Sequence, residues 1–396
     1  MKRRLALIAT VLALAATPRI WAQDTTSATP NVLRVGPAQK FLSIREAAQA
    51  AHVGDTVEIE AGDYAEDVAV WEKDLVKIVG VGGRPRILAG PASAEGKGTF
   101  VVRARGVEVT NLEFVGARAP DHYGSGIRIE RGSIRIANSK FTDNEFAILT
   151  ANDAAIVVEV EGCEFSGLVD QSDRGNALSH TLYAGAIDTL RVEGSYFHNG
   201  SVGHLVKSRA RNNLIRYNRI TDENGISSYE LEFPDGGNAV VVGNLIQQGR
   251  RSENGVIVSY GAENLRWKEN KLEAVFNTVV NDRAFGGVFF DVRGPAESMR
   301  IRYNVLVGGG EMRVPAGARV GDNVRASSQD FVDPGRFDFR PRVSTKWVGI
   351  ATGAEHVLPA ELLPTKEYRH RASTQPLRRA GRLMPLTPGD LQTVGH

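Results

Sequence analysis

The sequence predicts an all-β fold, a single-domain right-handed parallel β-helix, and three observations lead to this solenoid. A short unit of alternating apolar residues recurs eight times between residues 107 and 306, and alternation with period 2 indicates strands. Successive units are 24–34 residues apart, shorter than the roughly 40–45 residues of a β-propeller blade. Each unit contains a small residue that permits a sharp corner in the chain. These corner residues are Asn111, Asn138, Gly162, Gly194, Asn218, Asn244, Asn270 and Asn304.

Both ends of the repeat array have segments that could cover its open core. Residues 42–53 have the pattern of an amphipathic helix, and we expect this helix to cap the N-terminal end, as a solenoid requires. The repeat weakens after about residue 311. Residues 341–396 contain eight Lys/Arg, four Asp/Glu and six prolines, which predicts an extended basic tail packed on the solenoid. The predicted boundaries are a β-helix domain, cap included, at 23–340 and a tail at 341–396.

The first 22 residues have the pattern of a secretory signal peptide, with a basic start ahead of an apolar run at 5–16. That run is too short to span a bilayer, so we expect an exported protein, periplasmic or extracellular, without a membrane span. Removing residues 1–22 takes away four positive charges and no acidic group, the four being Lys2, Arg3, Arg4 and Arg19. The formal net charge then falls from +2 to −2, which argues against a nucleic-acid partner. We expect a monomer.

Composition and motifs exclude several other classes of protein. Apolar residues make up 42% of the chain and charged residues 24%, which is typical of a globular protein and not of a disordered one. The single cysteine, Cys163, excludes an intrachain disulfide and a zinc site built from cysteines. The sequence has no nucleophile-elbow, P-loop or HExxH motif, so it gives no support to an α/β-hydrolase, an NTPase or a zinc protease.

Ionisable residues concentrate in three consecutive units between residues 177 and 232. The corner residues of the first two units are 24 residues apart, and the same offset places Tyr183 beside Lys207 and His180 beside His204. Lys207 lies 11 residues before Asn218 and Glu232 lies 12 before Asn244, so a one-residue difference in loop length places Glu232 beside Lys207. Neighbouring strands of a sheet lie about 4.8 Å apart, so Tyr183, Lys207 and Glu232 should form one row across three coils.

Alternation along each short strand sorts the side chains of these units into two directions. The residues expected to point outward are Tyr183, Lys207, Arg209, Glu230 and Glu232. The residues expected to point inward are Leu182, Ala184, Val206, Ser208, Tyr229 and Leu231. His180 and His204 would lie at the strand starts, at the mouth of the same surface.

This set of side chains matches the chemistry needed to cleave a uronate polysaccharide by β-elimination. Cations neutralise the uronate carboxylate, which acidifies the C5 proton, while a base removes that proton and an acid assists the leaving oxygen. We predict Lys207 as the base, with Tyr183 or His204 as the acid or second base. The remaining predicted residues hold the anionic polysaccharide substrate, Arg209 at the catalytic centre and His180, Arg211 and Tyr229 around it.

Two stretches of the sequence resemble known proteins. Residues 43–64, SIREAAQAAHVGDTVEIEAGDY, resemble the start of many pectate-lyase-like right-handed β-helix proteins. The Glu230-x-Glu232 pair resembles that of polysaccharide lyase family 6, the chondroitinase-B and alginate-lyase group, in which two glutamates help to bind calcium. By this resemblance Glu230 and Glu232 would be Ca²⁺ ligands, a role that suits two carboxylates at i and i+2 of a strand. The lysine that follows the pair in that family is absent here, where 233–237 read FPDGG.

Other interpretations of the same residues stay open at this stage. Lys207 with Glu232, and Arg209 with Glu230, could be cross-strand ion pairs on a solvated face, and the two histidines a stacked ladder. Glu230 and Glu232, roughly 6.5–7 Å apart along a strand, could be the pair of an inverting glycoside hydrolase. A C5-epimerase shares the proton-abstraction step with a lyase. A non-catalytic exopolysaccharide-binding protein is the remaining alternative.

Overall fold

The computed structural model describes residues 30–167, 179–377 and 386–391. The predicted signal peptide at 1–22 lies outside these residues. β-Strands are the main regular structure of the described chain, and α-helices lie at Ile44–Ala50 and Ala354–Val357. Short 3-10 turns lie at Ala296–Ser298, Ser328–Asp330, Pro334–Arg336 and Ala360–Leu362. Within the described ranges, no helix is long and apolar enough to cross a membrane.

The solenoid has three strands per turn, and these stack into parallel sheets that we name face 1, face 2 and face 3. Face 1 contains Ala69–Trp71, Phe146–Thr150, Leu182–Ala184, Val206–Ser208, Leu231–Phe233, Val256–Tyr260, Val288–Val292 and Glu311–Arg313. Face 2 contains Val32–Val35, Thr56–Glu60, Lys77–Val81, Val157–Glu161, Thr189–Glu193, Asn212–Arg216, Asn238–Val242, Lys271–Val275, Met299–Arg302 and Arg319–Gly321. Two long strands, Gly98–Thr110 and Ser125–Ala137, bend from face 1 into face 2.

Face 3 completes each coil with an all-parallel sheet of 11 strands. Its strands are Asp63–Ala65, Arg86–Leu88, Glu113–Val115, Lys140–Thr142, Glu164–Ser166, Tyr196–His198, Arg219–Thr221, Leu245–Gln248, Thr278–Asn281, Val305–Val307 and Val324–Ala326. The parallel β-helix predicted from the repeat is therefore confirmed, and its coils continue to Ala326, past the residue where the sequence pattern weakens. Two antiparallel hairpins follow, at Phe331–Asp333 with Asp338–Pro341 and at Lys366–Arg369 with Ser373–Pro376.

Alternating apolar residues of the three faces fill the interior of the solenoid. On face 3 the inward residues of four consecutive coils are phenylalanines: Phe114, Phe141, Phe165 and Phe197. Their rings stack with centroids 5.1, 5.0 and 4.3 Å apart. Identical side chains at one position of each coil therefore pack directly on one another, because the coils repeat at the spacing of a parallel sheet.

A ladder of asparagines, which we name the corner ladder, lines the turn between face 2 and face 3. In each coil the side-chain N–H of the asparagine donates to Oδ1 of the asparagine one coil further along, at 2.9–3.0 Å. The ladder consists of Asn218, Asn244, Asn277, Asn304 and Asn323. The prediction of Asn270 as a corner is wrong, because residues 261–270 form an inserted loop and the corner follows the strand Lys271–Val275.

The left-handed backbone predicted at the corners is present, but its position changes along the chain. In the early coils it falls on the predicted residues, such as Asn111 at φ 62° and Gly194 at φ 61°. In later coils it falls one residue before the ladder asparagine, on Tyr217, Phe276 and Tyr303 at φ 53–57°. These large side chains point away from the core and pack with three residues of the C-terminal part, Ala354, Leu358 and Leu362.

The two terminal parts contact the solenoid through specific groups. The helix Ile44–Ala50 is shorter than the predicted 42–53, and the Ser43 hydroxyl caps it by accepting the Glu46 N–H. Its apolar side is buried in the main core. In the C-terminal part, the Lys366 ammonium lies 2.5 Å from a Glu193 oxygen of face 2. The domain boundaries and the capping roles stay predictions.

Candidate active site

Face 1 has an outward row of side chains, polar except for Leu149, which we name the central row. Tyr183 pairs with Lys207, and Lys207 pairs with Glu232, in the register that the sequence offset predicts. The row extends beyond these three coils on both sides. In chain order its members are Arg128, Leu149, Tyr183, Lys207, Glu232, Ser259 and Asp291.

The Lys207 ammonium is held between two carboxylates. Its Nζ lies 3.1 Å from Glu232 Oε2 and 3.4 Å from Glu263 Oε1. Glu232 is almost completely buried, whereas the side chain of Glu263 is 47% exposed on the inserted loop. Burial alone would raise the pKa of Glu232, but the contacts with His204 and Lys207 lower it below its usual value. Glu232 is therefore a fixed anion beneath Lys207, and Glu263 is an accessible one beside it.

Arg209 is the second cation of the site and makes three side-chain contacts. Its Nε donates to Tyr183 Oη at 2.9 Å, its Nη1 lies 2.5 Å from Asp235 Oδ1, and its Nη2 lies 2.7 Å from Glu263 Oε2. Burial opposes the charged form, but these contacts raise the pKa of Arg209. Because Glu263 bonds to Lys207 through Oε1 and to Arg209 through Oε2, one carboxylate bridges both cations.

Histidine and tyrosine rings form a second row beside the central row. The ring centroids of His180 and His204 are 4.5 Å apart, and those of His204 and Tyr229 are 4.7 Å apart. The expectation that Tyr229 points inward is therefore wrong. It precedes the three-residue strand Leu231–Phe233, so strand alternation does not apply to it. Phe146 and Tyr123 continue the row on the other side of His180.

The hydrogen bonds of the two histidines restrict their roles in proton transfer. His180 Nδ1 accepts the backbone N–H of His204, and His204 Nδ1 accepts the backbone N–H of Tyr229, at 2.9 and 3.2 Å. His204 Nε2 faces Glu232 Oε2 at 3.1 Å, so in the neutral ring it is the donor. Burial lowers the pKa of both histidines, most strongly that of His180. Both rings are thus neutral, and His204 has no free lone pair with which to act as a base.

Glu230 does not share the surface with Glu232, contrary to the sequence-based expectation. It is completely buried, its Oε2 lies 3.4 Å from Gln248 Nε2, and its Oε1 has no hydrogen bond. Burial raises its pKa well above the usual value, and the nearby Asp222 carboxylate adds to this effect. Like Tyr229, Glu230 lies before the short strand, where alternation fails.

A shared calcium site does not fit this arrangement. Glu230 has no exposed surface, and Glu232 is already balanced by Lys207 and bonded by His204. Among the residues that the structure describes, no group of three or more His, Cys, Asp or Glu side chains could hold a metal ion. The buried Glu230 also cannot reach a sugar as half of an inverting hydrolase pair. We therefore assign no chemical step to calcium or to this pair.

Arg211 lies apart from the central row. Its side chain is 48% exposed, stands 3.5 Å from Asp188, and has its guanidinium over the Trp267 ring at 5.0 Å. The structure thus brings together Tyr183, Lys207, Arg209, His204, Glu232, His180 and Tyr229, but not Arg211 or Glu230.

Three features of the site were missed at the sequence level. Glu263 and Asp235 contact Arg209 from loops whose position no strand register predicts. Arg128 occupies the central row two coils before Tyr183, and extending the register by those coils would have found it. The third feature is an open cleft of about 270 Å³ on that side of Tyr183. Its lining includes Lys97, Asp121, Tyr123, Arg128, Leu149 and Tyr183.

Comparisons with known proteins agree on the fold. The family described as right handed beta helix region matches residues 125–290. The solved structure of pectate lyase Pel9A aligns with 92% of this chain and 97% of its own, at 12% identity and a TM-score of 0.55. An alginate lyase from Paenibacillus sp. str. FPU-7 aligns with 74% of this chain and 99% of its own, at 13% identity and a TM-score of 0.39, too low to establish a shared fold. No curated protein sequence matches.

Proposed function

We propose that this chain, a right-handed β-helix protein of the pectate-lyase-like superfamily, is an exported lyase that cleaves a uronate-containing polysaccharide by β-elimination. One observation carries the proposal. The half-exposed carboxylate of Glu263 bridges Lys207 and Arg209, beside the hydroxyl of Tyr183. A uronate carboxylate has the same shape and charge, so it can replace Glu263 between the two cations.

Binding in that position would prepare the sugar for proton loss at C5. The C5 hydrogen of a uronate is acidified when the attached carboxylate is neutralised, since the negative charge that develops in the transition state spreads onto the carboxylate oxygens. Lys207 supplies one charge, and Arg209 supplies the second through Nη2, the nitrogen that now donates to Glu263. Glu232 and His204 lie beneath Lys207 and fix its position.

Tyr183 is the group that we assign to proton transfer. Arg209 Nε lies 2.9 Å from Tyr183 Oη, and a cationic donor at this distance stabilises negative charge on the phenol oxygen. The phenolate takes the proton from C5, the C4–O bond breaks as the C4–C5 double bond forms, and the phenol returns the proton to the leaving oxygen. Lys207, predicted from the sequence as the base, is paired with two carboxylates, which favours the binding role.

The experiment follows the ultraviolet absorbance of unsaturated uronate when purified protein meets alginate, pectate, dermatan sulfate or bacterial exopolysaccharides. We expect product from at least one polysaccharide, and a loss of kcat of roughly 10²–10⁴-fold in Tyr183→Phe, the usual range for a proton-transfer group. Tyr64→Phe, which removes a phenol oxygen from face 3, is the matched control. Absence of product on every substrate would overturn the proposal, and full activity of Tyr183→Phe would overturn the assignment of proton transfer to Tyr183.

The variant Lys207→Ala distinguishes the two roles considered for Lys207, which are binding the uronate carboxylate and removing the C5 proton. If Lys207 binds the carboxylate, its removal raises KM and Tyr183→Phe remains the variant with the lower kcat. If Lys207 is the base, its removal abolishes kcat while Tyr183→Phe keeps most of it. NMR of the product distinguishes elimination from C5 epimerisation, which begins with the same proton abstraction.

A further inference from the structure

Arg128 has an unusual environment for a charged side chain. It is largely removed from solvent, and its Nε is buried without a hydrogen bond. None of the described residues forms a hydrogen bond or ion pair with its guanidinium. Buried polar groups normally have partners, because leaving one unsatisfied is costly. An unsatisfied guanidinium that faces an open cleft is therefore a candidate ligand-binding group.

The cleft around Arg128 continues directly from the proposed active site. Tyr183 belongs to both, since it lines the cleft on one side and accepts the Arg209 hydrogen bond on the other. On the opposite wall, Tyr123 is 46% exposed and stacks on Phe146 with ring centroids 5.5 Å apart. An exposed aromatic ring held by a second ring is a rigid, amphipathic surface for a sugar.

Two cationic side chains line the cleft, Lys97 and Arg128, and of these two only Lys97 has an ion-pair partner among the described residues. Lys97 on the rim is balanced by two glutamates, Glu130 at 2.7 Å and Glu95 at 3.2 Å. Asp121 is an exposed rim residue whose Oδ1 accepts the Tyr123 backbone N–H. Burial lowers the pKa of Arg128, while Glu130 and Asp121 oppose that effect from a distance. A carboxylate at Arg128 would supply the missing partner.

We propose that this cleft is a second carboxylate-binding subsite, in which Arg128 holds a uronate residue several sugars away from the bond that is cleaved. The proposal depends on the proposed function only for the class of sugar. Arg128 and Lys207 are three coils apart in the central row, which is about 14 Å at about 4.8 Å per coil. One sugar ring cannot span that distance, so only an oligosaccharide can occupy both sites.

Calorimetric titration with galacturonate and alginate dimers and hexamers tests this arrangement. All proteins carry Tyr183→Phe, so that the oligomers are not consumed. We expect Arg128→Ala to weaken hexamer binding at least tenfold and to leave dimer binding at Lys207 unchanged. Arg128→Lys, which keeps the charge but loses the planar fork, should give an intermediate Kd. Arg131→Ala, an exposed arginine of the same strand outside the cleft, is the matched control.

Each outcome of the titration decides the inference. Equal hexamer affinity with and without Arg128, equal loss for dimer and hexamer, or no binding of any uronate would overturn it. Arg128→Ala could lose affinity only because it folds poorly. Arg128→Lys has a side chain of similar length and should fold, so an intermediate Kd in that variant cannot result from such a folding defect. Length-dependent binding through Arg128, without unsaturated product from any polysaccharide, would uphold the subsite and reject the lyase.

Discussion

The corner ladder and the central row cross the same coils at the same spacing, but their polar groups are satisfied in different ways. Inside the ladder each asparagine both donates to and accepts from a neighbouring asparagine, as Asn277 does with Asn304 and Asn244. In the central row the side chains differ from coil to coil, and the Arg128 guanidinium has no hydrogen-bond or ion-pair partner among the residues that the structure describes. Repetition of one self-complementary residue builds structure, whereas a row of unlike charges leaves groups that can bind a ligand.

The largest expected effect is a loss of stability when an asparagine of the corner ladder is replaced. Asn277→Ala removes the bonds from Nδ2 to Val241 O and Asn304 Oδ1. It also takes the acceptor from the Asn244 backbone N–H and one of the two acceptors from Asn244 Nδ2. Since each buried unsatisfied group costs about 1–3 kcal/mol, we expect a loss of more than about 3 kcal/mol in the free energy of unfolding. Thermal and urea denaturation measure this loss.

The control for this prediction is Asn224→Ala, because Asn224 is exposed and only its backbone N–H is bonded. The folded Asn277→Ala protein should keep the site, so its activity per folded molecule at low temperature should match that of the wild type. A stability equal to that of Asn224→Ala would mean that the ladder is not what holds the corners together.

Asp390 belongs to neither the corner ladder nor the central row. It tests whether a buried polar group without a hydrogen bond is enough to indicate a functional site. The Asp390 carboxyl is completely buried near Thr278, none of the described residues forms a well-placed hydrogen bond with it, and burial raises its pKa to about 7. In the unfolded chain this pKa is close to 3.8. The folded state therefore holds its proton more tightly, and this contribution to stability is complete below pH 3.8 and declines as the pH rises to about 7.

Asp390→Asn removes this titration while keeping the size of the side chain. We expect the stability of the variant relative to the wild type to rise between pH 5 and pH 8 by roughly 2–3 kcal/mol, because the wild type must release this proton over that range. Melting temperatures at the two pH values measure the difference. Activity should not change, since Asp390 is far from face 1 in its contacts. An identical pH dependence of both proteins would show that Asp390 is not the titrating group.

The smallest predicted effect concerns the carboxylate that occupies the site. Glu263→Gln weakens the bridge between Lys207 and Arg209, so a uronate no longer competes with an internal anion. We expect KM to fall a few-fold with little change in kcat. Stability should change by less than about 1 kcal/mol, because the Glu263 side chain is half-exposed. Glu269→Gln on the same loop is the control, and an increase in KM would show that Glu263 helps to bind substrate.

Site residues that lie within strands were placed correctly from the sequence, and the residues that were placed wrongly lie outside strands. The offset between corners correctly placed Tyr183, Lys207 and Glu232 in one row, because parallel strands in consecutive coils keep their register. Alternation held within Leu231–Phe233 but failed for Tyr229 and Glu230, which precede it. The strand has only three residues, and the backbone before it is irregular, so its side-chain directions have no period.

The loops set a second limit to prediction. Asn270 has the expected sequence context for a corner, yet the inserted loop at 261–270 moves the true corner to Asn277. That loop also places Glu263 beside Lys207 and Arg209, which are 56 and 54 residues away along the chain. Nothing in the sequence near Glu263 indicates such a contact.

The sequence by itself determined the repeat, the parallel β-helix and the row that crosses three of its coils, since the spacing of small corner residues and the period of two are local properties. Only the tertiary structure decided which charges are neutralised, which are buried and which stay available. It placed His204 Nε2 against Glu232, enclosed Glu230, put Glu263 between two cations and left Arg128 without a partner among the described residues. These outcomes depend on the distances between groups that are far apart in the chain and on their access to water, which a local pattern does not encode.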